Sequence, residues 1–251
     1  MGTSYNANIA TDGLLLCLDP ANPRSYPGSG NTLYDLSGNS KNSTLVGTTF
    51  SDLNRGKLVL DGSNDYINIP SIQSGSDGFS VCVWVNSSLW NNTTNNCPCG
   101  AGSSSIFEWA VDCSYLFNMT YAANLNYVVS SMSNGGNTRI YYLLFDNIRS
   151  SDTNKWYYLV STFGPSSNGV LRNYTNGLFN LSMSLLNTGW GVNSAGGSFS
   201  INRSITMGQK ITCCGNCWLK ADIGLVSIYD RRLSDLEIRQ NFNATRGRYG
   251  I

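Results

Sequence analysis

Hydrophobic and polar positions alternate in short runs along most of this chain, and glycine, asparagine and proline interrupt the runs at close intervals. Residues 79–85 (FSVCVWV) are densest in β-branched and aromatic side chains and predict a strand. Val226 and Ile228 alternate with Ser227 and Tyr229, the period of a half-buried strand. Comparable runs at 13–18, 58–60, 66–69, 106–111, 127–132, 139–145, 156–163, 178–185, 199–201 and 205–207 predict further strands. Ser234 and Glu237 have the spacing of a capping box, in which a hydroxyl and a carboxylate each satisfy an orphan backbone donor, so a helix begins there. Leu236 and Ile238 supply its apolar contacts. Many short strands and one late helix predict an all-β fold, a two-sheet antiparallel sandwich with one short C-terminal helix. With no internal repeat or linker, residues 13–251 read as a single domain behind a polar N-terminal arm at residues 1–12.

Composition narrows the chemistry. The 251 residues suffice to bury a core without staples. Only 12% are charged, about half the usual share, so Asn, Ser, Thr and Gly must supply the polar surface. That balance is common in extracellular and virion-surface β-proteins. A net charge of +1, with basic pairs only at Arg231-Arg232 and Arg246/Arg248, gives no footprint for nucleic acid. No apolar run approaches the roughly 18 residues of a membrane span, and residues 1–11 lack the basic and apolar regions of a signal peptide. The absence of histidine excludes Ser-His-Asp and Cys-His catalysis and histidine-ligated zinc. Glycoside hydrolysis needs two facing carboxylates. Glu108 and Asp112 share a strand face but lack an intermediate acid, so the chain is not expected to be an enzyme.

The eight cysteines fall in two classes. Cys17 and Cys82 lie inside apolar strands and read as small core hydrophobes. Cys97, Cys99, Cys113, Cys213, Cys214 and Cys217 sit in or near loops, as a disulfide set or a thiolate cluster. Cys214 and Cys217 have C-x-x-C spacing, which Cys97 and Cys99 would complete to four thiolates, whereas disulfides would place the chain outside the cytosol. Among the tryptophans, Trp84 and Trp156 read as core, while Trp90, Trp190 and Trp218 lie in Gly- and Asn-rich segments. Their indole faces, with Asn216 beside Trp218, would suit stacking on the C–H faces of a sugar. Sequons at Asn42, Asn86, Asn118, Asn173, Asn202 and Asn243 match what an Asn/Ser/Thr-rich chain produces by chance.

A resemblance covers most of the chain. GLLLCLD at 13–19, DLSGN at 35–39, LDGSNDY at 60–66, FSVCVWV at 79–85, KWYYLV at 155–160, YTNG at 174–177 and ADIGLVSIYDRRLS at 221–234 follow one another in family order. Together they resemble laminin-G-like domains of the concanavalin A-like lectin/glucanase superfamily, and the closing QNFN at 240–243 and RYGI at 248–251 resemble free-standing members encoded by bacteriophages and large DNA viruses. The resemblance implies a concanavalin A-like jelly-roll sandwich. It also implies a non-enzymatic structural or adhesive role on the virion surface, as a capsid decoration, head fibre or tail-associated component. Partners would then be neighbouring capsid or tail proteins in a homo-oligomer or symmetric array, and a host-surface glycan. Loops at 86–104, 187–197 and 210–220 would carry the contacts. No cofactor is required by this reading. Calcium is the one candidate, with Asp35, Asn39, Asp61 and Asp65 in two of the family turns as ligands. The alternatives are a secreted or cell-surface carbohydrate-binding module and, further off, a glycan hydrolase.

Overall fold

A computed structural model describes residues 9–74, 78–90, 104–111, 114–122, 125–133, 140–146, 148–164, 169–184, 202–212 and 215–251. In chain order the strands are β1 (Leu14–Leu18), β2 (Thr32–Leu33), β3 (Ser43–Val46), β4 (Thr49–Ser51), β5 (Lys57–Asp61), β6 (Tyr66–Gln73), β7 (Phe79–Leu89), β8 (Ser104–Val111) and β9 (Ser114–Ala122). There follow β10 (Tyr127–Ser133), β11 (Ile140–Leu144), β12 (Trp156–Gly164), β13 (Val170–Thr175), β14 (Leu178–Ser184), β15 (Asn202–Met207), β16 (Gln209–Thr212), β17 (Gly215–Trp218) and β18 (Lys220–Tyr229), then helix α1 (Asp235–Thr245).

Among the described residues these form two eight-stranded sheets and a hairpin. Sheet I runs β14-β13-β12-β7-β18-β5-β4, with β1 also paired to β18. Sheet II runs β11-β10-β9-β8-β15-β6-β3-β2, and β16 pairs with β17. Every pairing is antiparallel, and the expected sandwich with one short C-terminal helix is the observed architecture. Predicted strand 199–201 lies outside the described residues; β2, β3, β4, β9, β13 and the β16–β17 hairpin were not anticipated.

The main core lies between the sheets. Val81, Val83 and Val85 of β7 meet Phe107, Trp109, Phe117 and Met119 of sheet II there. One polar bridge crosses it. Asn173 Oδ1 accepts from Ser161 Oγ at 2.7 Å and Ser130 Oγ at 2.8 Å, while its Nδ2 donates to the Leu143 carbonyl at 2.8 Å. A buried polar group with all its partners satisfied costs little and fixes how the sheets register.

Strand β7 is buried on both faces, which explains its nearly unbroken apolar sequence. The alternate residues Cys82 and Trp84 point outward, away from sheet II, and join Tyr158, Tyr174, Leu225 and Tyr229 beneath α1. The predicted capping box is present: Glu237 N donates to Ser234 Oγ at 3.3 Å and Ser234 N donates to Glu237 Oε2 at 2.9 Å. The helix then lays Ile238, Asn241, Phe242 and Thr245, one stripe at helical spacing, on the sheet. Beyond it, Tyr249 stacks on Trp84 at 4.1 Å, and its hydroxyl accepts from Leu225 N at 2.9 Å. Gly224 permits this approach, since a Cβ there would collide with the Tyr249 hydroxyl. Arg248 Nη1 meets Asp19 Oδ1 at 2.8 Å, with both side chains buried, and ties the tail to the end of β1.

The end of the N-terminal arm belongs to this cover. Ile9 is buried, Ala10 N donates to Asn241 Oδ1 at 2.7 Å, and Tyr229 Oη donates to the Ala10 carbonyl at 2.9 Å. Cys17 and Cys82 are buried free thiols, as the sequence suggests. Burial pushes them up to about 12 and about 11 respectively. No helix among the described residues is long and apolar enough to cross a membrane.

Candidate functional site

At one end of the sandwich the turn between β5 and β6 crosses from sheet I to sheet II beside the β16–β17 hairpin. The turn is built by its own acids: Asp61 Oδ1 accepts from Ser63 N at 2.7 Å, and Asp65 Oδ2 accepts from Asp61 N at 2.9 Å. Burial raises the Asp65 carboxyl above its ordinary value. Gly208 turns the chain from β15 into β16 at φ +84°, the left-handed region that glycine tolerates. The hairpin returns so that Leu219 N donates to the Gly208 carbonyl at 2.8 Å.

This arrangement brings Trp218, on the closing strand of the hairpin, against Tyr66, the first residue of β6. Their ring centroids are 5.9 Å apart at an interplanar angle of 37°. Both rings are half-buried, so each is held by packing yet keeps surface to offer. Ser63, Asn64 and Asn68 beside them are exposed, and Asn68 shares Tyr66's face of β6, with exposed Thr44 opposite it on β3. Two tilted aromatic faces rimmed by amide and hydroxyl groups can stack on apolar C–H surface while bonding hydroxyls. Sequence reasoning missed Tyr66 as a binding residue. The signal was there, because Ile67 and Ile69 point into the core and so turn Tyr66 and Asn68 outward.

The other predicted site residues distribute as follows. Trp90 is fully buried in the inter-sheet core, and its Nε1 donates to the Asp152 carbonyl at 2.7 Å. It offers no face to a ligand, and the expectation that its polar neighbours would leave it exposed is corrected. Asn216 lies on β17 opposite Ile211. Trp190, Cys97, Cys99, Cys113, Cys213 and Cys214 lie outside the described residues. Cys217 is buried and disulfide-bonded. Of the expected contact loops, 86–89 is the end of β7, and 209–218 is largely the hairpin rather than an open loop.

The proposed calcium ligands divide between two separate turns. Asp35 accepts from the backbone N–H groups of Cys17, Ser37 and Lys41, and Asn39 Nδ2 donates to the Leu14 and Leu15 carbonyls. These side chains serve the chain's own backbone, the other common use of Asx residues in turns. Among the described residues no group of three or more acidic or cysteine side chains is placed to hold a metal ion, so we derive no role through calcium. Glu108 is 1% exposed on the face of β8 against which the hairpin packs, while Asp112 lies outside the described residues. Lys210 on the hairpin is lowered by burial, with Glu108 opposing the shift. A carboxylate so enclosed cannot reach a bound sugar. The sequons at Asn118 and Asn173 are buried and cannot be modified in the folded chain.

A family described as the concanavalin A-like lectin/glucanases superfamily, of the laminin-G type, matches residues 61–239. No curated protein sequence matches. Among solved structures, the botulinum neurotoxin type G receptor binding domain aligns with a TM-score of 0.61 at 20% identity, covering 92% of this chain and 51% of that one. The receptor binding domain of the botulinum neurotoxin C/D mosaic serotype gives 0.65 at 17% identity, over 93% and 52%. The binding domain of botulinum neurotoxin DC, solved in complex with rat synaptotagmin II, gives 0.63 at 16% identity, over 94% and 52%. The chain thus spans about half the length of these structures, and at such identities the likeness is one of fold. With more than half of its length matched and two antiparallel sheets closed by the capped helix, the chain belongs to the concanavalin A-like lectin/glucanase superfamily as a laminin-G-type domain.

Proposed function

We propose that this chain is a non-enzymatic recognition domain that binds a host-surface glycan through the Tyr66–Trp218 corner and is displayed on a virion as a structural or adhesive component. The observation that carries the binding half is the pair of half-exposed rings 5.9 Å apart, set among exposed Asn64, Asn68 and Thr44. The enclosure of Glu108 supports a role without turnover. The virion half is supported by the closing motifs at 240–251, by the sparse charge, and by the disulfide at Cys217, which suits a compartment outside the cytosol.

Glycan-array binding without product release is the first test. Trp218→Ala and Tyr66→Ala should each weaken binding about tenfold or more, since stacked aromatics act as anchors. Retention of full affinity by both variants would place the ligand elsewhere. Proteomics and cryo-electron microscopy of particles test the display: the chain should recur at symmetric capsid or tail positions. That neurotoxin domains of this fold are receptor binding domains favours a second reading, a secreted or cell-surface carbohydrate-binding module, which absence from particles would select.

A further inference from the structure

The outer face of sheet I is covered by α1 and the tail over only part of its area. Beyond Trp84 the same face continues into an open groove of about 270 Å³. Val59 contributes apolar surface, and Asp61, Asn86, Lys220 and Asp222 contribute polar groups. Strand pairing fixes their positions. Asp222 stands opposite Asn86 on β7 and opposite Val59 on β5, and Lys220 stands opposite Asp61. We propose that this groove is a subsite for one neutral sugar ring of a bound glycan; the inference rests on the recognition role proposed above and names a second place where the ligand is held.

Three observations select that ligand. The Asn86 carboxamide oxygen is buried without a hydrogen-bond partner at the groove wall, a cost to the fold that a turn of the side chain toward a donor in the groove would remove. Asp222 Oδ2 is held by Lys57 Nζ at 2.6 Å, which fixes the carboxylate and leaves Oδ1 as an oriented acceptor. Lys220 is exposed and makes no ion pair among the described residues, so its ammonium is a donor at the rim.

The charges also balance. Asp61 and Asp222 against Lys57 and Lys220 sum to zero, which disfavours a strongly anionic or cationic ligand. Adjacent hydroxyls, each able to donate and accept, match such an alternation of acceptors and donors. The volume lies just under the roughly 300–1,000 Å³ of sites for drug-sized molecules and suits one ring rather than several. Lys220 follows Trp218 by two residues, and Asp61 opens the turn that Tyr66 closes, so groove and aromatic corner flank one turn.

The test titrates the whole chain with the oligosaccharide found on the array and with methyl glucoside, galactoside and mannoside, followed by NMR. Ser88→Trp, at an exposed position on the groove, would fill it, and Asn86→Ala would remove the acceptor. Trp218→Ala serves as comparator, with near-ultraviolet circular dichroism reporting folding. Loss of about tenfold in oligosaccharide affinity in both groove variants, with shifts at Val59 and Asp222 on adding a neutral glycoside, supports the proposal. Affinity lost in Trp218→Ala but unchanged in both groove variants overturns the groove and leaves the recognition role standing. Binding of no glycan by the unaltered chain overturns both. Preference for sialyl or amino sugars over neutral ones overturns the ligand class.

Discussion

Trp84 and Asn86 sit two residues apart on the same face of β7, and between them the outside of sheet I changes character. On the Trp84 side the face is aromatic and closed: Tyr158, Tyr229 and Trp84 lie beneath Phe242 and Tyr249. On the Asn86 side it is polar, concave and open to solvent. The strands are the same, so backbone geometry does not distinguish the two halves. The reach of residues 234–251 does. Under the cover each buried aromatic contributes about 1.5–3 kcal/mol. Past it, the strands carry Asn, Ser, Lys and Asp and keep an acceptor unsatisfied.

If the covered half holds the fold and the open half serves a ligand, substitutions should divide along that line. Trp84→Ala should cost about 3–5 kcal/mol in urea unfolding, because it empties a fully buried site and removes the Nε1 donor that the Thr245 hydroxyl accepts from at 2.9 Å. A comparable loss from Asp222→Ala would erase the distinction. Tyr249→Phe should cost about 1–3 kcal/mol by leaving the Leu225 N–H buried and unpaired. Asn86→Val should change stability by about 1 kcal/mol or less, and in the stabilising direction, while weakening glycan binding; clear destabilisation would make Asn86 a structural residue.

The smallest effect concerns pH. Arg231 beside Glu237 holds that carboxyl down at about 2, against an ordinary 4.5. The contribution is therefore complete above 4.5 and is lost as pH falls from there toward 2. Glu237→Gln should flatten the acid limb of stability across that window, and an unchanged limb would show that the helix cap does not sense pH.

How much was legible follows from how local each feature is. Strands β7, β12 and β18 and the Ser234–Glu237 box declare themselves through propensity and spacing, which are near-neighbour properties. Strand β13 does not, because it carries Arg172 and Asn173, and Asn173 is acceptable inside only through hydroxyls on β10 and β12 and a carbonyl on β11. Trp90 misleads for the same reason: Asn91 and Asn92 follow it, but the carbonyl that satisfies its indole is 62 residues away. In β9, Phe117, Met119 and Tyr121 do alternate with Asn118 and Thr120, a readable signal of a strand. Of the candidate site, Trp218 was legible as a large aromatic among small polar residues. The outward turn of Tyr66 was legible from the alternation with Ile67 and Ile69, but its meeting with Trp218 and the groove required knowing how distant segments come together.

The clasp that joins Ala10 to Tyr229 and Asn241 has a consequence for how the molecule is made. A chain leaving the ribosome makes β7 and β12 well before β18, the strand that joins β7 to β5, and before residues 235–251, so Trp84 and Tyr158 stay uncovered until both arrive. Lowering α1 onto that aromatic stripe also brings Asn241 to Ala10 and Tyr229 and so closes the clasp. Truncation within 235–251 would arrest the protein in that unfinished condition, with a sticky flank turned toward its neighbours.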